Sequence, residues 1–185
     1  MAMGHGSGTD WGRIHIVGVL LGWLWLTAAS ADEALSAHVL QVSERVTLAG
    51  ELQAGAAEQL ASTGTLVVDL RSADQGASAE ARELALASVD YINLPQSAAA
   101  PTRADVMFLE ELLAARGDQR VVIHCSSGNR AGLVWGALML EQGAELANVL
   151  DAVGPIATKA PIRESIGEYA AALEAQAAPA EDPDS

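Results

Sequence analysis

Lysine occurs once in this chain, at position 159, against 24 aspartates and glutamates, and the formal net charge is −14. Nucleic acids and anionic membrane surfaces are bound through clustered Lys and Arg, so neither is an expected partner of the domain. Cysteine also occurs once, at position 125, which excludes an internal disulfide. Aromatic residues are only 4% of the chain, and three of the four tryptophans (Trp11, Trp23, Trp25) lie near the N-terminus. The interior must therefore be packed with Ala, Leu and Val, which favours closely approached helices against a buried sheet. Beyond position 31 the histidines are His38 and His124, with no ligand spacing between them, so no metal and no cofactor is expected.

What the chain does have is enough apolar content, 50% of 185 residues, for one domain with tails. Arg13 precedes an apolar run, Ile16 to Leu26, which ends in Thr27-Ala-Ala-Ser-Ala31 before Asp32-Glu33. That pattern predicts an export signal over residues 1–31, with Ala29-Ser30-Ala31 suited to signal peptidase. The alternative is an uncleaved anchor, since Ile14 to Ala31 is just long enough to span. Both place the domain outside the cytoplasm, periplasmic if the signal is removed, with a membrane contact only if it is retained. Residues 176–185 (QAAPAEDPDS) predict a disordered acidic tail, leaving 32–175 as the folded domain.

Within that domain, short apolar runs alternate with helical patterns. Strands are predicted at Arg45–Leu48, Thr65–Leu70, Tyr91–Leu94 and Val121–His124. Helices are predicted at Gln53–Ser62, Ala79–Ser88, Thr102–Arg116, Ala131–Leu140, Glu145–Ala152 and Ile162–Ala175. Arg71–Ser78 and Gln96–Pro101 read as loops. The alternation predicts an α/β domain, a mostly parallel sheet flanked by helices on both faces.

The stretch His124-Cys-Ser-Ser-Gly-Asn-Arg-Ala-Gly132 joins an apolar strand to an apolar helix, where ligands bind in open α/β sheets. Ser126, Ser127, Gly128 and Asn129 are small enough for backbone amides to converge on an anion, beside the positive end of the following helix. Arg130 adds a planar fork of donors. A thiol in that field ionises below its free value of about 8.5, which makes Cys125 the expected nucleophile and Arg130 its catalytic partner. The expectation requires Cys125 to lie beside Arg130.

These residues resemble the phosphatase-like domain of beta-lactamase-hydrolase-like proteins, within the group of tyrosine and dual-specificity phosphatases and rhodanese sulfurtransferases. The matching pieces are Val67-Val-Asp-Leu-Arg71, Tyr91-Ile-Asn-Leu-Pro95 and the cysteine loop, so the likeness spans roughly Val46 to Tyr169. It implies a cysteine-thiolate enzyme acting on a small anionic substrate containing sulfur or phosphate. Four residues separate Cys125 from Arg130, where phosphatases of the group have five. The shorter loop goes with sulfur transfer through a persulfide. The loop Pro95 to Pro101 also lacks the acid that a phosphatase uses there. Asp105, further on, is more simply explained by the dipole of its helix. Sulfur transfer is accordingly the leading expectation. Hydrolysis through a phosphocysteine is the alternative, followed by a non-catalytic anion-binding or redox-sensing module.

Plainer roles stand beside these. Cys125 can be a small core residue, and Arg130 can pair with Asp69. His124, its backbone in a strand, is better suited to a structural hydrogen bond than to a general base. Asp69 and Arg71, at a strand's carboxyl end, either line the same pocket or form a structural pair.

Overall fold

The computed structural model of the chain describes residues 35–177. The expected signal or anchor and tail residues 178–185 lie outside them. Five strands form one sheet: β1 (Val39–Gln41), β2 (Val46–Ala49), β3 (Leu66–Asp69), β4 (Tyr91–Asn93) and β5 (Val121–His124), ordered β1-β2-β5-β3-β4. The last four run parallel, and β1 pairs antiparallel with β2 at the edge. The central strands β3 (LVVD) and β5 (VVIH) are buried at every position. Covered on both faces, a parallel strand reads as a continuous apolar run, which is why the sequence announces both so clearly.

Alternation along the strands sorts their side chains onto two faces. Val46, Leu48, Leu66, Val68, Val121 and Ile123 face one core cluster, packed by α3 (Arg103–Ala115), α4 (Asn129–Glu141), α5 (Leu146–Val153) and α6 (Ala160–Ala177). Ala49, Val67 and Val122 face a smaller cluster with α1 (Ala56–Ser62) and α2 (Ala77–Leu86). The expected architecture is thus observed, helices on both faces included. Burying each Leu, Val or Ile of these layers contributes about 1.5–3 kcal/mol relative to exposure.

Small residues set the helix spacing, as the composition requires. A Cβ on Gly132 of α4 would stand 2.9 Å from the Ala157 side chain, and one on Gly136 would meet Val149 and Ile166 at 3.2 and 3.3 Å. The helix bundle is laced at its rim by Glu141, which accepts from Arg103 Nε (2.9 Å), Arg103 Nη2 (3.0 Å) and Tyr169 Oη (2.8 Å). Most element ends fall within one to three residues of expectation, and three features differ in kind or place. A single 3-10 turn, Ala73–Gln75, interrupts the predicted loop after β3, β1 was not predicted, and α6 runs two residues into the predicted tail. No helix among the described residues is long and apolar enough to cross a membrane.

Candidate active site

Residues 125–130 connect β5 to α4, and the backbone on each side is held. Cys125 N–H donates to Ala49 O (3.3 Å), Glu51 N–H to Ser126 O (3.3 Å) and Leu70 N–H to His124 O (2.9 Å). The chain then turns at Gly128, whose φ of 81° suits a residue without a Cβ. Space demands glycine too, since a Cβ there would lie 2.4 Å from Ile156 Cγ1. Asn129 opens α4 and locks the loop to the turn before α6: its Oδ1 accepts from Lys159 N–H (2.9 Å), and its Nδ2 donates to Ser127 Oγ (3.3 Å). The first amides of α4 have no carbonyl one turn back, apart from Gly132, which donates to Gly128 O.

Above this loop lies a cavity of about 720 Å³. Its walls come from Ser72 and Gln75 after β3, Pro95 to Ala98 after β4, Ser126, Ser127, Asn129 and Arg130 of the loop, and Lys159, Pro161 and Ile162 at the start of α6. Three strand carboxyl ends and two helix N-termini therefore converge, the arrangement expected for a ligand crevice. The ionisable residues lining it are both cations, Arg130 and Lys159, in a chain of net charge −14.

Arg130 is fixed by neutral groups. Nη1 donates to Leu70 O (3.0 Å), Gln75 Oε1 (2.8 Å) and Gln96 O (2.9 Å), and Nη2 to Ser126 Oγ (3.3 Å). Neither Asp69 nor Cys125 is among its partners. The alternative pairing with Asp69 is therefore not formed. The reason is topological: acceptors from the β3 and β4 loops surround the arginine at the cavity wall. Cys125 lies beneath, 1% exposed, with its side chain in the core cluster under α4.

His124, one residue earlier, points to the other face. Register places it opposite Asp69, and on that side buried Asp69 and Arg71 form a polar cluster with half-buried Glu80 and Tyr91. Asp69 Oδ1 accepts from the Arg71 amide (2.8 Å) and Arg71 Nε (3.0 Å), and Oδ2 accepts from Arg71 Nη2 (3.0 Å) and Tyr91 Oη (2.9 Å). Arg71 Nη2 also meets Glu80 Oε2 at 2.6 Å. Burial pushes the Asp69 carboxyl up, but the Arg71 hydrogen bond and the His124 and Arg71 charges outweigh it and leave the group below its ordinary value. Burial and the Asp69 hydrogen bond push the Tyr91 hydroxyl well up. His124 Nε2 is 2.8 Å from Glu80 Oε1 without an aligned hydrogen bond, and 3.6 Å from Asp69 Oδ1. These three side chains bring ligand atoms within 4.8 Å of one another. Arg71 and Tyr91 already occupy both Asp69 oxygens, so the group reads as an ion network and not as a metal centre.

Of the residues singled out in the sequence, Ser126, Ser127, Asn129 and Arg130 meet at the cavity and Gly128 shapes it. Asp69, Arg71 and His124 are instead structural, behind the sheet. Asp105 is tied to its own helix start, its Oδ2 accepting from the capping Thr102 hydroxyl at 2.6 Å. Missed were Gln75, Gln96 and Lys159 at the cavity and Glu80 in the network. The one usable signal was that the only lysine stands directly before a helix.

No family model and no curated protein matches the chain. Solved structures do. A candidate phosphatase (DUF442) from Shewanella putrefaciens CN-32 aligns with a TM-score of 0.62 at 18% identity, covering 78% of this chain and 92% of that one. Tk-PTP in its active form aligns at 0.59 and 21%, covering 76% and 98%. TpbA of P. aeruginosa, in complex with phosphotyrosine, aligns at 0.53 and 20%, covering 74% and 90%. The five-stranded, mostly parallel α/β domain of this chain therefore has the fold of the tyrosine and dual-specificity phosphatases.

Proposed function

We propose that the protein is a cysteine-dependent phosphohydrolase, with Cys125 as nucleophile and Arg130 as the anion-binding cation. The observation that carries this reading is the cavity at the end of β5, whose ionisable lining is wholly cationic in a strongly acidic chain. No carboxylate offsets the Arg130 charge there, since its partners are carbonyls, an amide and a hydroxyl. The α4 amides add their partial charge. The phosphatase fold favours phosphoryl substrates over sulfur donors. In the reaction the Cys125 thiolate attacks phosphorus, Arg130 and the loop amides hold the equatorial oxygens, and water then hydrolyses the phosphocysteine.

The test is hydrolysis of p-nitrophenyl phosphate by the folded domain, expected to vanish in Cys125→Ser and to trap phosphate on Cys125 in an acid-quenched intact mass. Iodoacetamide labelling of Cys125 no faster than of an unfolded cysteine peptide counts against a nucleophile there. Sulfur transfer remains the second reading, favoured by the four-residue spacing and by the absence of a carboxylate among the lining residues. A 32 Da gain at Cys125 after thiosulfate, with no p-nitrophenyl phosphate hydrolysis, would select it. Export is proposed as well: the intact mass of protein from its host should begin after Ala31.

A further inference from the structure

Phosphomonoester hydrolysis from serine, threonine or tyrosine needs a proton for the departing oxygen, because an alkoxide or a phenolate (pKa about 10) is a poor leaving anion. Among the described residues, no carboxylic acid or imidazole lines the cavity to supply one. Its ionisable members are Arg130 and Lys159, and the nearest candidate acid in sequence, Asp105, is outside the lining and committed to Thr102. The cavity instead holds a cation that the thiolate step does not need. Lys159 is exposed, its ammonium makes no ion pair or hydrogen bond among the described residues, and its backbone is pinned to Asn129 of the loop at 2.9 Å. No carboxylate is among the residues lining the cavity.

Together these features describe a site that stabilises a leaving group already negative when it departs. We propose that the substrates are phosphoanhydrides, with Lys159 holding the departing phosphate; this rests on the phosphohydrolase reading above. The Cys125 thiolate forms an S–P bond to the terminal phosphorus as the bridging P–O bond breaks. The electron pair goes to the bridging oxygen, which leaves as phosphate, stable near neutrality without a proton donor. Water then cleaves the S–P bond, releasing a second phosphate, restoring the thiolate and giving one proton to solvent. Arg130 serves the transferred group and Lys159 the leaving group, a division fixed by the Asn129–Lys159 tie.

The experiment compares kcat/KM for inorganic pyrophosphate, p-nitrophenyl phosphate and phosphotyrosine, with EDTA present, in the wild-type domain and in Lys159→Gln and Lys159→Arg. Pyrophosphate is expected to exceed phosphotyrosine by at least about tenfold. Lys159→Gln should lower the ratio of pyrophosphate to p-nitrophenyl phosphate by about tenfold, the loss of one charged contact, and Lys159→Arg should restore most of it. Turnover of p-nitrophenyl phosphate with none of pyrophosphate, or a ratio unmoved by Lys159→Gln, overturns the inference and leaves the phosphohydrolase reading intact. No turnover of any of the three overturns both.

Discussion

Arg71 and Arg130 sit at the carboxyl ends of neighbouring strands and are treated in opposite ways. Arg71, 3% exposed, is wrapped by Asp69, Glu80 and the more exposed Glu51, so its charge is cancelled where it stands. Arg130 receives three oxygens and a hydroxyl but no carboxylate, so its orientation is fixed while its charge is not cancelled. Buried charge needs a partner, and at Arg71 the chain provides it. At Arg130 the partner is left for a ligand to bring. The comparison separates an arginine that builds from one that binds, a distinction the residue type alone never makes.

The largest effect should come from breaking the built side. Arg71→Met leaves buried Asp69 and half-buried Glu80 without their cation and should cost about 3–5 kcal/mol in urea unfolding. Arg130→Ala is the counterpart: turnover of p-nitrophenyl phosphate should fall by about 10²–10³, while the urea midpoint shifts far less than for Arg71→Met. Equal destabilisation by the two would erase the distinction. Gly128→Ala, which adds a methyl group against Ile156 at positive φ, should cost about 1–3 kcal/mol and lower activity by misplacing the loop.

Acid sharpens the same contrast. Because Asp69 is held below its ordinary value, the stability it contributes is present above about pH 4, its unfolded range, and is lost as pH falls through its lower folded pKa. Asp69→Asn should therefore flatten the acid limb of a stability–pH curve, whereas Arg130→Ala should leave that limb's slope unchanged. The smallest effect is expected at the rim: Tyr169→Phe removes one hydrogen bond to Glu141 and should cost roughly 0.5–1.5 kcal/mol in the same unfolding measurement.

How much of this was legible beforehand follows from how local each signal is. The runs at Leu66–Asp69 and Val121–His124, the Thr102 cap and the apolar helix after the cysteine loop are written within a few consecutive residues, and they were readable. Strand β1 was not, because Val39-Leu-Gln41 has no strand pattern of its own and exists by pairing with β2. The cysteine loop was found by its spacing, and Gly128 took the left-handed conformation expected of it. What Arg130 binds was hidden, since its acceptors Leu70 and Gln75 are 60 and 55 positions away. Asp69, by its place at a strand end, could equally have lined the pocket, whereas His124 already read as structural. The alternation of side chains across the sheet sends them to the far side, and only the register between β3 and β5 reveals that they meet.

That register has a consequence for tuning the molecule. His124 and Cys125 are joined by one peptide unit yet belong to different compartments, the first facing α2 and the second facing α4. A substitution at Glu80 or Tyr91 can reach the thiol only as a tilt or displacement of that shared peptide, much as a shim behind a panel moves the panel without touching its front. The rear compartment is therefore a place where reactivity could drift by small steps while every surface the substrate meets stays the same.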